Sequence, residues 1–130
     1  MGASRDTTAK NIQPLRGAIV RRWTVGATVA AGEIVEMQSD GYCDPAVATS
    51  AITGLLGVAL NAGSTAGTDK IDIVTHGPVN CLSGATEGAP IYVSDTAGEP
   101  SESVGTKDAM IGHAETDTVL YVDPQIIDFS

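Results

Sequence analysis

Gly32-Glu33-Ile34-Val35-Glu36-Met37, then Asp40-Gly41, then Leu55-Leu56-Gly57-Val58, is one phrase of this chain, and residues 88–114 repeat it. The second copy runs Gly88-Ala89-Pro90-Ile91-Tyr92-Val93, Asp95-Thr96-Ala97-Gly98 and Met110-Ile111-Gly112-His113-Ala114. Each closes on a short apolar strand, Lys70-Ile71-Asp72-Ile73-Val74 and Thr118-Val119-Leu120-Tyr121-Val122. A small β unit cannot bury its own apolar face, so a duplicated one implies two units packed on each other. The spacing places the repeat units at about 31–74 and 87–122.

Outward from the repeat, turn signals and short apolar runs continue. Asp40-Gly41 is a hairpin turn signal, because both residue types tolerate positive φ. Lys70 to Thr75 alternates as a half-buried strand, with Ile71 and Ile73 inward and Asp72 outward. Gly77-Pro78 is expected to break that strand. Leu55 to Leu60 reads as a buried strand, and Ala46 to Thr53 as a loop or a single helical turn. Upstream, Arg16 to Val25 forms a first strand, with Ile19, Arg21 and Trp23 on one face and Ala18, Val20 and Arg22 on the other.

Fifteen glycines and six prolines spread over 130 residues leave no long amphipathic helical pattern. About eight strands result, and an all-β fold follows: a small β-barrel or sandwich built from two related β units. Residues 1–15 read as an extended N-terminal arm without a core of its own, ordering on contact. Residues 16–123 form the β-barrel domain, and residues 124–130 a short C-terminal tail that packs back or docks on a neighbour.

The net charge of −9 is unevenly placed. Residues 1–22 carry Arg5, Lys10, Arg16, Arg21 and Arg22 against Asp6, whereas residues 23–130 carry Lys70 and Lys107 against fifteen acids. An acidic body is repelled by phosphate backbones, which argues against direct nucleic-acid binding, and a cationic arm suits an acidic protein surface. Cys43 and Cys81 are too few and too separated for a disulfide scaffold or zinc ribbon. No leader-like segment and no run of about 18 apolar residues is read, which favours use without export and no membrane partner.

Catalytic, metal-binding and cofactor-binding residues are expected to be absent. His76 and His113 are the only bases titrating near neutrality, and both fall at matching punctuation in the β pattern, which favours a structural or surface role. There is no Gly-x-Ser-x-Gly elbow, phosphate-binding glycine loop or Asp-x-Asp-x-Asp-Gly calcium loop, and the cysteines and histidines lack the local spacing of zinc ligands. The residues expected to make contacts are Arg5, Lys10, Arg16, Arg21 and Arg22 by charge, and Trp23, Ile126, Ile127 and Phe129 as apolar anchors.

The order of these elements resembles the small capsid decoration (cement) proteins of tailed bacteriophages. The likeness rests on Ala31-Gly32-Glu33-Ile34, the Asp-Gly turn, Leu56 to Ala59, His76-Gly77-Pro78-Val79, Gly88 to Val93 and Ile111 to Ala114, and covers residues 16–123. The resemblance implies an all-β domain, a homotrimer, on the outer capsid surface of the virion after synthesis in the host bacterial cytoplasm. Its partners would be the major capsid protein and copies of itself. The two ends of the chain lie outside the shared pattern. A trimeric β-barrel enzyme of nucleotide-hydrolase type and a glycan-binding or adhesive domain on a virion surface are the alternatives weighed.

Overall fold

A computed structural model describes residues 2–52 and 54–126. Among these residues twelve strands form: β1 (Ser4–Arg5), β2 (Gln13–Pro14), β3 (Ile19–Thr24), β4 (Ile34–Met37), β5 (Cys43–Pro45), β6 (Leu56–Ala59), β7 (Lys70–Asn80), β8 (Leu82–Ser83), β9 (Pro90–Val93), β10 (Pro100–Ser101), β11 (Ala109–Ala114) and β12 (Val119–Ile126). One short 3-10 turn, Ala9–Asn11, is the only helical element among the described residues. No helix among the described residues is long and apolar enough to cross a membrane.

The fold is all-β, and a strongly curled antiparallel sheet dominates it. Its order is β10-β9-β11-β12-β7-β6-β4-β5. The first half reads β5-β4-β6-β7 and the second β10-β9-β11-β12, so the repeated phrase gives the same strand order twice. The correspondence extends to single hydrogen bonds. Gly32 N–H donates to Ala59 O and Gly88 N–H to Ala114 O, both at 2.7 Å. Ala59 N–H returns to Glu33 O and Ala114 N–H to Ala89 O, both at 2.9 Å. Within the strands, Val35 lies opposite Gly57 and Ile91 opposite Gly112.

The hairpin signals also fold alike, with one refinement. Only the glycine of each takes positive φ, +86° at Gly41 and +78° at Gly98. Asp40 instead accepts the Tyr42 N–H on Oδ1 at 2.9 Å, which stabilises the turn through its side chain.

Two apolar cores occupy the two faces of the first unit. Ile34, Leu56, Val58 and Val74 join Ile91, Val93, Ile111, Leu120 and Val122 of the second unit in the larger core. Val35, Ala59, Ile71 and Ile73 point the other way and pack with Trp23, Val25, Val29 and Cys43. This is why β6 is buried at every position and reads as an unbroken apolar run. Around the smaller core the sheet forms a half-barrel, and a bridge from Val25 to Cys43, with Gly26 N–H on Cys43 O at 2.9 Å, laces its two margins.

Three expectations are corrected. Gly77-Pro78 does not end β7, which runs through them for 11 residues. Gly77, at φ +101°, turns the strand where Ala18 and Gly17 press against it, and a Cβ there would sit 2.8 Å from Ala18 Cα. Past this point β7 pairs with β12, so one long strand joins the two units.

The N-terminal arm is extended but docked. β1 pairs with β8 and β2 with β7, Asp6 N–H donates to Cys81 O at 2.9 Å, and Ile12 is buried in the larger core. Gly32 makes room for it: at φ +89° it leaves open the space beside Ile12 and Arg5 that a side chain would fill. The tail starts later than expected, because Pro124, Gln125 and Ile126 continue β12, with Ile126 opposite Ala109. Ile127 and Phe129 lie outside the described residues.

Candidate interaction surface

β3 forms an open margin of the half-barrel. Among the described strands it pairs with β7 alone, the Val25–Cys43 bridge closes its far end, and its first four residues, Ile19 to Arg22, are all exposed. A register shift between Ile19 and Val20 interrupts the expected alternation. From Val20 onward it holds, with Arg21 opposite Ile73 and Trp23 opposite Ile71 on the side of the smaller core, and Arg22 opposite Asp72 on the other side. Leu15, Ile19 and Val20 add apolar surface at 40%, 53% and 43% exposure.

Beside β3 lies a groove of about 470 Å³, at the fork where β6 leaves β7 and β12 takes its place. Arg21 and Trp23 form one wall, Leu55 and Leu56 another, and Thr75 and Pro124 complete it. The volume is within the range of small-ligand sites, with apolar walls and one cation at the rim. Such a groove can seat an apolar side chain next to a carboxylate. Leu55, expected within a buried strand, projects at 65% exposure because β6 begins at Leu56.

The residues expected to make contacts divide into distinct groups. Arg5 is committed internally: its Nε donates to Glu99 Oε2 at 2.9 Å and its Nη1 to Ala31 O at 3.2 Å. At 18% side-chain exposure it fastens the arm and is not free to reach a partner. Arg22 holds Asp72 at 3.0 Å in an exposed pair, a geometry worth about 0–1 kcal/mol. Lys10, Arg16 and Arg21 are exposed, with no ion-pair partner among the described residues. Trp23 is a core residue at 8% exposure, reaching the surface only as the groove wall. Ile126 is placed by its backbone pairing alone. Nothing in the sequence signals the groove or the protrusion of Leu55 except Gly54, a strand-disfavouring residue before the Leu-Leu pair.

The ionisable groups elsewhere are dispersed. His76 meets the Tyr121 ring edge-on at 5.5 Å and lies 3.9 Å from Asp123 Oδ1, while His113 is exposed on β11 opposite Tyr121. Among the described residues no group of three or more His, Cys, Asp or Glu is placed to hold a metal ion. Cys43 and Cys81 belong to different cores, and burial pushes their thiols up to about 11 and about 12. Asp44 is also raised, by burial first and then by Asp40 and Glu36, and its Oδ1 lacks a hydrogen-bond partner. Asp95 is lowered by the Thr106 N–H and hydroxyl, and Asp69 by the N–H groups of Thr65 and Ser64, so both are loop-fastening carboxylates.

No family model matches the chain, and no curated protein matches it.

Proposed function

We propose that the chain is a noncatalytic structural protein that binds the outer surface of a bacteriophage head, as a homotrimer, and cements neighbouring major capsid proteins. The reading joins the cement-protein resemblance in the sequence to one structural observation: exposed cations and apolar side chains share the β2–β3 margin of an otherwise acidic molecule. Arg16 and Arg21 lie there with Leu15, Ile19 and Val20, while the acids dominate the remainder. A surface of this kind adheres to an acidic assembled shell through charge attraction and apolar contact. Binding to the assembled lattice alone stabilises it by mass action, and many copies multiply a modest free energy per site.

The test is cosedimentation of the protein with purified heads lacking it, at rising salt, together with heat stability of the decorated heads. Binding is expected to weaken toward about 1 M salt, where screening acts within about 3 Å. Decorated heads should withstand higher temperature than bare ones. Heads that neither bind the protein nor gain stability from it would refute the reading. Sedimentation equilibrium giving a monomer would refute the trimer.

A further inference from the structure

We propose that β3 accepts an added strand from its partner: an extended segment bearing two consecutive carboxylate residues pairs along the free edge from Val20 to Arg22. The inference rests on the assignment of this margin as the contact surface, but is tested without any capsid.

The backbone determines which groups are available. Val25 N–H donates to Asp69 O at 2.9 Å, and Val25 lies next in register after the Thr24–Lys70 pair. Alternation in an antiparallel ladder then directs the amides and carbonyls of Trp23 and Arg21 toward β7 as well. Those of Val20 and Arg22 point away from it, along an edge to which no other described strand pairs, and beyond them the Val25–Cys43 bridge, with Gly26 N–H on Cys43 O, closes the edge at Thr24. Such a row is a template for another strand, with ladder hydrogen bonds giving affinity and side chains giving selectivity.

Charge identifies the occupant. Arg21 and Arg22 are consecutive and so project from opposite faces of the sheet. A second copy of β3 is a poor partner, because antiparallel pairing centred on either arginine sets it directly against its own copy, and like charges opposite one another are destabilising. Two successive acids in an incoming strand meet both arginines, one on each face. Arg22 can serve while holding Asp72, because a guanidinium carries five N–H donors and that pair uses Nη1. β-branched neighbours in the incoming strand suit Val20 and the exposed flank of this edge.

Three capped peptides test the proposal: Thr-Val-Thr-Glu-Glu-Val-Thr-Val, the same peptide with Lys-Lys at its centre, and the Glu-Glu peptide N-methylated at every backbone amide, so that neither edge can donate. Trp23, the single tryptophan and a β3 residue, reports binding by its emission, and amide hydrogen exchange reports the mode. The Glu-Glu peptide should bind at least about tenfold tighter than the Lys-Lys peptide, since two opposed charge pairs change sign. Bound peptide should slow exchange at Val20 and Arg22, with Arg21 and Trp23 little changed, and N-methylation should abolish both effects. Arg21→Glu with Arg22→Glu should reverse the preference; should that variant fail to fold, the N-methylated peptide on the unaltered protein decides. No binding at about 1 mM, equal binding of both charges, or binding without protection of those two amides would each overturn the proposal. Head binding without such protection would overturn strand addition while leaving the cement reading intact.

Discussion

Replacing Gly112 by alanine should damage the fold far more than the loss of one glycine suggests. Gly112 lies on β11 beside β12, and a Cβ there would stand 2.9 Å from Tyr121 C and 3.1 Å from Asp123 N, and closer still to Tyr121 O. All three obstacles are backbone atoms of the neighbouring strand, so no side-chain rotation relieves them. The two strands must part, weakening the ladder between Gly112–Val122 and Met110–Gln125 at the existing irregularity. Overpacking of this kind costs about 1–3 kcal/mol, and the backbone obstruction places Gly112→Ala at about 3 kcal/mol. The stiffer unfolded chain returns about 0.4–1 kcal/mol, leaving a net loss of about 2 kcal/mol. For a domain of this size that lowers the Tm by roughly 6–10 °C.

Gly57→Ala, at the matching position of the first unit, meets the Ile73 side chain and then Val74 O at 2.8 Å. It should also destabilise, by about 1–2 kcal/mol, because its nearest obstacle is a side-chain methyl and only one backbone atom stands within 3 Å, where Gly112 meets backbone alone. Thermal melts followed by Trp23 emission and far-ultraviolet circular dichroism measure both variants. Gly2→Ala, with nothing within 4 Å of its Cβ position, is the silent control. A Gly112→Ala protein melting within about 2 °C of the parent would refute the close-approach argument, since the overpacking term would then be absent.

Other consequences concern the arm, one carboxylate and the thiols. Ile12→Ala should cost about 2–4 kcal/mol in urea unfolding, because Ile12 is 5% exposed within the larger core; a cost near zero would return the arm to the status of a solvated tail. Asp44 has its folded pKa raised above 3.8, so its contribution to stability is full below the unfolded value and is lost as pH rises through the folded one. Asp44→Asn should therefore stabilise the protein at pH about 7 and lose that advantage below about pH 4, and unfolding curves across that range with no such convergence would contradict the sign. Cys43 and Cys81, with thiols held at about 11 and about 12, should resist a thiol reagent at pH about 8 until the protein unfolds. Stoichiometric labelling of the native protein would show that a core opens readily.

The all-β class, the duplicated unit and its two hairpins were legible in the sequence because the forces behind them act between near neighbours. Alternation sets which face of a strand is apolar, Gly41 and Gly98 permit the turns, and both operate within a few residues. The paired phrases therefore recur as paired strand orders. Much less of the contact surface could be read that way. Arg5 and Arg21 are both cations of the same basic head, yet one is fixed to a carboxylate 94 residues away and the other stands unpaired at a groove rim. Leu55 and Leu56 are neighbours of identical chemistry, and only the point where β6 joins its partners decides that the first protrudes and the second is buried. By sequence alone Pro78 reads as a strand breaker, because its lost donor is costly in most strands. Here the Leu15 carbonyl that faces residue 78 accepts the Ala18 N–H at 3.1 Å, so no acceptor is orphaned, Pro78 O still accepts the Leu15 N–H at 3.0 Å, and with the residue opposite Tyr121 the strand continues. Composition and periodicity thus determined what the chain is made of, two β units with a basic head. Docking of that head, the fork holding the groove and the unpaired edge of β3 arise from contacts between distant segments, whose energies depend on packing geometry that no local pattern encodes.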